Sequence, residues 1–200
     1  MAVDSNAWIT LVEAKVHLGI ATPIDPHCDE FLEALINASY KRLEKYIGRQ
    51  AKRKTYTEHY SGQGQNKLLL LHWPLISIAS IHVDQTRQFT NDFLMESDDY
   101  FFDVDPDTSV GLVEIFQTTG SGPTFFEKGI RNIKVVYDAG YEPLPENMKH
   151  ICKMHVAWLF RRAGTEATRS QSLGGKSESY EDIDLPPYIQ SWLSPYKDRF

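Results

Sequence analysis

The chain has 200 residues, of which 42% are hydrophobic and 24% charged, as is typical of a globular protein with one domain or one domain plus an appendage. Its formal net charge of −6 argues against a dedicated duplex-DNA binder, because such proteins are normally basic. The charge still suits a protein that surrounds DNA without gripping it, since an acidic wall repels phosphate groups.

Two helices are predicted near the start of the chain. Thr10 and Glu13 have the spacing of a capping box, which predicts a first helix from Thr10 to the glycine at position 19. Asp25 and Pro26 suit the N-cap and first turn of a second helix. This second helix has the clearest apolar period in the chain, at Phe31, Leu32, Leu35, Ile36, Leu43, Tyr46 and Ile47.

The pattern changes to short strands between about residues 54 and 137. Turns rich in Gly, Pro and Asp separate these strands, which predicts a small antiparallel sheet or partial barrel. We expect the polar stretch 84–99 to be a loop or a hairpin excursion. The predicted strands cover residues 55–57, 68–71, 76–83, 100–104, 112–116 and 133–137.

A third helix is predicted after Pro145, with an apolar stripe that should pack on the second helix. The stripe comprises Met148, Ile151, Cys152, His155, Val156 and Leu159. We expect Leu32, Leu35, Ile36 and Leu43 to contact Ile151, Val156 and Leu159. The resulting fold class is α+β: residues 1–164 form one domain, in which a helical core carries the inserted antiparallel β lobe.

The end of the chain is predicted to be a linker followed by a short helix. Residues 165–184 contain almost no apolar side chain, which favours a flexible linker. In residues 185–200, Leu185, Tyr188, Ile189, Trp192 and Leu193 fall on one helical face. A polar linker with an aromatic helix is typical of a segment that docks on another protein, with Trp192, Tyr188 and Tyr196 as anchors. Packing of this helix on its own core is equally compatible with the pattern.

No catalytic motif is found. Residues 62–64 lack the remainder of a phosphate-binding loop, and residues 120–123 are typical of a turn. His150, Cys152 and His155 point in different directions on one helix, which predicts a surface His150 and a core His155 instead of a metal site. We therefore expect no enzymatic activity, no metal and no cofactor.

A basic group, Arg49, Lys52, Arg53 and Lys54, follows the second helix. It could contact a neighbouring subunit or the DNA backbone, although a solvated helix end explains it more simply. Cys28 and Cys152 lie in helical patterns and are expected to be buried thiols. Residues 1–8 do not have the pattern of a signal peptide, and no apolar run approaches the ~20 residues of a membrane span.

Five segments occur in a characteristic order along nearly the whole chain. They are residues 9–18, residues 29–49 with the ending Tyr46-Ile47-Gly48-Arg49, the strand–proline–strand segment 69–81, residues 135–145, and residues 185–196. This order resembles that of the head–tail connector proteins of tailed bacteriophages, also called adaptor or head-completion proteins. The long stretches 84–99 and 120–129 depart from the commoner short form of that family.

The resemblance implies a structural role in the virion, at the head–tail interface, for a protein made in the host cytoplasm. It implies a ring, expected to be a dodecamer, beneath the portal protein, with genomic DNA passing through without sequence-specific binding. The C-terminal segment would dock on the portal, and the other face would receive a stopper or tail-completion protein. The alternatives are a stopper or tail-completion protein itself, a binding module that acts through its C-terminal helix, and a small hydrolase, which would lack any known motif.

Overall fold

The computed structural model describes residues 2–20, 26–90, 94–95, 97–104, 111–115, 125–163, 170–173, 176–179 and 185–197. It contains the predicted mixture of helices and antiparallel strands, so the α+β fold class is confirmed. The chain divides into two compact units. Residues 1–49 and 144–200 form the helical unit, and residues 50–143 form the β unit.

Four helices build the helical unit: α1 (Leu11–Leu18), α2 (Pro26–Ile47), α3 (Glu146–Arg162) and α4 (Pro187–Leu193). The capping box predicted for α1 is confirmed, because the Glu13 amide donates to the Thr10 hydroxyl and the Thr10 amide donates to the Glu13 carboxylate, at 3.2 and 2.7 Å. Gly19 adopts φ 69° and ends the helix. Local spacing alone therefore fixes both ends of α1.

The contact between α2 and α3 forms the core of the helical unit. Its fully buried side chains are Leu32, Ile36, Leu43, Ile47, Met148, Ile151, Cys152 and Val156. His155 is also buried, as expected, with its Nδ1 atom 2.9 Å from the Ser39 hydroxyl. The expectation that Leu35 belongs to this core is wrong, because the helical period places it at the border of the buried face, where it is only half-buried.

Six strands build the β unit: β1 (Lys54–Gly62), β2 (Lys67–Leu69), β3 (Leu75–Val83), β4 (Tyr100–Phe102), β5 (Leu112–Ile115) and β6 (Gly129–Ala139). They form two three-stranded antiparallel sheets, with strand orders β1–β6–β3 and β2–β5–β4. Both sheets contribute to one core, which includes Leu68, Ile81, Val113, Ile133 and Val135. The β unit is therefore a small two-layer structure.

The stretch 84–99 begins with a tight turn organised by the buried carboxylate of Asp84. This carboxylate accepts hydrogen bonds from the backbone N–H groups of Thr86, Gln88 and Phe89, at 2.7 to 2.9 Å, and from the Thr86 hydroxyl. The chain then returns along β3, where the Met95 amide donates to the Ile81 carbonyl at 2.8 Å. In the other stretch noted from the sequence, residues 120–124 lie outside the described residues.

The predicted linker, residues 165–184, contains two described strands, β7 (Ser170–Leu173) and β8 (Lys176–Ser179), which pair antiparallel. The other residues of this segment lie outside the described residues. The flexibility of the linker therefore stays a prediction. After it come α4 and a 3-10 turn at Ser194–Tyr196, both within the helical unit.

Replacing Ile36 with alanine should destabilise the protein by about 2–5 kcal/mol, because it removes a fully buried side chain from the α2–α3 contact. The half-buried Leu35 is the matched control, and Leu35→Ala should cost clearly less. Chemical denaturation of both variants measures the difference. Equal losses would show that the two positions are not distinguished by burial.

The Asp84 turn should make stability depend on acid pH. Burial raises the pKa of Asp84, but the hydrogen bonds from the Thr86 hydroxyl and the three backbone amides outweigh it and lower the pKa to about 2, from an ordinary value of 3.8. Since the folded-state pKa is depressed, the stabilisation is fully present above the ordinary value and is lost as the pH falls through about 2. Wild type should therefore exceed Asp84→Asn in unfolding free energy at neutral pH and lose that advantage in acid. A difference that does not change with pH would contradict this assignment.

Candidate docking surface of the helical unit

Hydrogen bonds at the start of helix α4 stabilise its first turn. Pro187 occupies its first turn, where the missing N–H of proline costs nothing, and the Ile189 and Gln190 amides donate to the Pro186 carbonyl at 3.0 and 3.1 Å. The Gln190 side-chain amide donates to the Leu185 carbonyl at 2.7 Å. These bonds fix the helix even though it is too short to be stable alone in water.

One face of α4 packs inside the helical unit. Leu185, Ile189 and Leu193 are buried, and α4 contacts α3 and α2. Of the two arrangements compatible with the sequence, the structure thus shows the helix packed on its own core. These three predicted docking residues hold α4 in place and are not available at the surface.

The C-terminal residues are tied to the end of α2 by polar contacts. The Arg49 guanidinium donates to the Tyr196 carbonyl at 3.3 Å, and the Tyr46 hydroxyl donates to the Gln190 carbonyl at 3.4 Å. The Lys197 ammonium lies 5.4 Å from the centre of the Tyr46 ring. Arg49 is only 5% exposed, so its side chain serves this internal contact and is unsuited to the external contact considered from the sequence.

The rest of the basic group also has roles within its own unit, the β unit. Arg53 pairs with Asp138 at 2.7 Å and with Glu142 at 2.5 Å. Lys52 forms a backbone bridge to Tyr141, and the Lys54 ammonium lies 5.4 Å from the centre of the Tyr56 ring. The structure therefore gives no support to a shared external contact of the four residues.

The outer side of α4 presents aromatic groups to solvent. Trp192 is 50% exposed and Tyr188 is 44% exposed. The Trp192 ring lies 6.0 Å from the His150 ring, which lies 5.9 Å from the His17 ring in an edge-to-face arrangement. We call Tyr188, Trp192, His150 and His17 the aromatic row. It is assembled from α4, α3 and α1.

Positive charge surrounds the aromatic row. Burial lowers the pKa of His17, and the charges of His150, Lys153 and Arg161 act in the same direction. Burial raises the pKa of Tyr188, and the charge of Arg161 opposes that rise. The Glu13 carboxylate approaches Lys153 to 3.8 Å. Exposed indole and phenol rings beside cationic groups are characteristic of protein–protein contact surfaces.

A second cluster, in the β unit, has a structural role. The Glu58 carboxylate accepts hydrogen bonds from the hydroxyl groups of Tyr60 and Tyr137, the latter at 2.7 Å. These hydroxyl oxygens in turn accept from the Leu71 and His72 amides, at 3.0 and 3.2 Å. Burial and the Glu58 carboxylate raise the pKa of both tyrosines, so both remain donors. The cluster thereby fastens the chain after β2 to the first sheet.

The described residues contain no group of three or more His, Cys, Asp or Glu side chains that could hold a metal ion. None of the helices in that part of the chain has the length and apolar character needed to cross a membrane.

The sequence pattern indicates Tyr188 and Trp192 as anchors of a docking surface, but it does not reveal that the imidazoles of His150 and His17 lie beside them. The sequence predicts His150 at the surface, yet nothing in it places His17 next to His150, because the two residues are 133 positions apart in the chain. Tertiary packing assembles the aromatic row, and only its residues on the exposed side of α4 could be predicted from the sequence.

Comparison with solved structures and families agrees with this fold. A chain from the neck of an empty gene transfer agent particle, computed with C6 symmetry, has 12% identity and a TM-score of 0.58, with coverage of 98% of this chain and 93% of that chain. A chain from the virion of a native gene transfer agent particle has 12% identity, a TM-score of 0.56 and coverage of 98% and 92%. No curated protein sequence matches. The family described as head completion protein matches residues 7–199, so the predicted resemblance is confirmed and the chain belongs to that family.

Proposed function

We propose that this chain is a non-catalytic subunit of the virion that completes the head by connecting it to the tail, as an adaptor. The observation that carries the proposal is the aromatic row, in which side chains from three helices form one exposed surface above the buried face of α4. Membership of the head completion family supports this role.

The subunits would form a ring, expected to be a dodecamer, beneath the portal protein and would extend the DNA channel. A stopper or tail-completion protein would bind on the other side. The similar gene transfer agent chain comes from a neck computed with C6 symmetry, which supports a cyclic arrangement. The net charge of −6 supports passage of genomic DNA without sequence-specific binding.

The portal would be the partner of the aromatic row. Trp192 and Tyr188 would insert into a groove of the portal, while Leu185, Ile189 and Leu193 keep α4 in position from below. Tyr196 would contribute at the edge, since it is half-buried at the end of the same segment. Tryptophan and tyrosine are the side chains that most often dominate an interface, and a ring would multiply a modest contact by avidity.

A stopper or tail-completion protein is the second candidate, since the family description covers completion of the head in general. It would use the same surface against a different neighbour. Mixing the protein with portal-bearing capsids separates the two candidates, because only an adaptor should bind the portal directly.

Replacing Trp192 with alanine should leave the fold intact and weaken binding to portal-bearing capsids at least tenfold, because a half-exposed ring contributes little to the core and much to an interface. Val16→Ala is the matched control, since Val16 is 75% exposed on α1 of the same unit. Co-sedimentation with capsids and negative-stain microscopy give the readout.

The buried neighbour of Trp192 should behave in the opposite way. Leu193→Ala should lower the unfolding free energy by about 2–5 kcal/mol, as for a fully buried leucine. If Trp192→Ala binds capsids as tightly as wild type does, the portal contact lies elsewhere. If wild type itself does not bind portal-bearing capsids, the adaptor role is wrong.

A further inference from the structure

One end of the β unit carries a concentration of cations. His59 and Lys134 are cross-strand neighbours on β1 and β6, and the Lys134 ammonium lies 5.8 Å from the centre of the Phe89 ring. The turn after β3 adds Arg87, and the start of β6 adds two further cations. We call Arg87, Lys128, Arg131 and Lys134 the cationic end; the His59 imidazole lies beside Lys134.

The cationic end is held rigidly. The Asp84 amide donates to the Asn132 carbonyl at 2.8 Å, and the Gln85 side chain donates to the Lys128 carbonyl at 2.9 Å. The Arg131 amide donates to the Ser61 hydroxyl at 3.0 Å. In the described part of the chain, the non-glycine residues with positive φ are Arg87, Phe89 and Arg131, and all three lie here. Strain of this kind persists only where the surrounding structure enforces it.

The cations of the cationic end are unpaired within the part of the chain that the structure describes. Arg87, Lys128, Arg131 and Lys134 form no ion pair among the described residues. The β unit as a whole contains 13 acidic and 8 basic residues, so these cations stand out against a negative background. Ile130, between Lys128 and Arg131 in sequence, is 78% exposed.

The outer face of the second sheet combines exposed apolar side chains with acidic ones, and so complements the cationic end. Tyr100 and Phe102 pack against the core, so strand alternation turns Phe101 outward, where it is 55% exposed. Leu69 is also exposed, on the edge strand β2 of this sheet. Asp98, Asp99 and Asp103 flank β4. We call this surface the acidic sheet face.

These two surfaces belong to opposite layers of the β unit. Lys134 alternates with the core residues Ile133 and Val135, so it lies on the outer face of the first sheet. Phe101 lies on the outer face of the second sheet. Lys134 and Phe101 therefore lie on the outer faces of different sheets, and a contact between these two side chains requires a second copy of the chain.

We propose that the cationic end of one subunit docks on the acidic sheet face of the next copy. Ile130 would supply the apolar centre on one side and Phe101 with Leu69 on the other, and opposite charges would surround both. A contact between two different surfaces of identical subunits is heterologous, and it closes into a ring when the rotation allows. The inference rests on the proposed ring and names the surfaces that build it.

The apolar residues favour a protein partner over DNA. A phosphate backbone is bound by cations and hydrogen-bond donors, and an isoleucine that is 78% exposed supplies neither. In a protein interface the same side chain has a function, since apolar centres bordered by charge are the usual arrangement. The chain itself carries a surface of matching charge, so no unknown partner is required.

Cross-linking between two single-cysteine additions tests the contact. Ile130→Cys and Phe101→Cys proteins are mixed and treated with a short bis-maleimide, and a cross-linked heterodimer is expected at several times the level of either variant alone. Ile130→Cys mixed with Val16→Cys is the control, because Val16 is 75% exposed, more than the 55% of Phe101, but lies on α1. A yield no higher than in this control overturns the proposal.

Charge reversal makes the test specific. Adding Arg87→Glu and Arg131→Glu to the Ile130→Cys chain should reduce the heterodimer at least fivefold. Adding Asp98→Arg and Asp103→Arg to its Phe101→Cys partner should restore it. Failure of this rescue overturns the proposal.

Two further outcomes separate this contact from its alternatives. If the arginine reversal leaves cross-linking unchanged but abolishes binding to a labelled DNA duplex, the cationic end is a DNA contact and the proposal is wrong. If reversed subunits still assemble into rings on portal-bearing capsids, the contact is wrong while the adaptor role stands. Absence of wild type from those capsids counts against the adaptor role itself.

Discussion

Helices α2 and α3 are separated by about half of the chain, and their buried contact forms the core of the helical unit. The side chains at this contact are fully buried leucine, isoleucine and valine, together with the pair Ser39 and His155. Helices α1 and α4 are short and gain their stability by packing on this pair. Every exposed feature of the helical unit is therefore positioned by α2 and α3.

The aromatic row exists because α3 buries one side and exposes the other. Its buried side, with Ile151, His155 and Val156, faces the core, and His150 is left on the outside. Helix α4 repeats this division, since Ile189 and Leu193 are buried while Trp192 stays exposed. One face fixes the helix, and the other is exposed to solvent. A docking surface that is rigid before binding loses less entropy on association than a free peptide does.

The sequence predicts the features that are set by residues close together in the chain. It does not predict the features that are set by contacts between residues far apart in the chain. The Thr10–Glu13 capping box and the strands of the β unit follow from local spacing. The division into two sheets does not, because register is set by pairings such as Tyr56 with Tyr137. Arg49 was assigned to the surface because the return of Tyr196 to the end of α2 cannot be seen in the sequence. Leu35 was placed in the core because helical spacing leaves the border of a face undecided.

The two units differ in charge, and this difference suits them to different roles in the proposed ring. Most of the net negative charge of the chain belongs to the β unit, which makes the four cations that form no ion pair among the described residues costly unless they meet an anionic partner. The acidic sheet face meets that need without another molecule, since every copy in a ring presents one cationic end and one acidic sheet face. Subunit contacts would then neutralise the exceptional cations, and the remaining surface would stay acidic. In the proposed ring, an acidic surface toward the channel would let DNA pass without binding it, and the aromatic row of the helical unit would remain available to the portal.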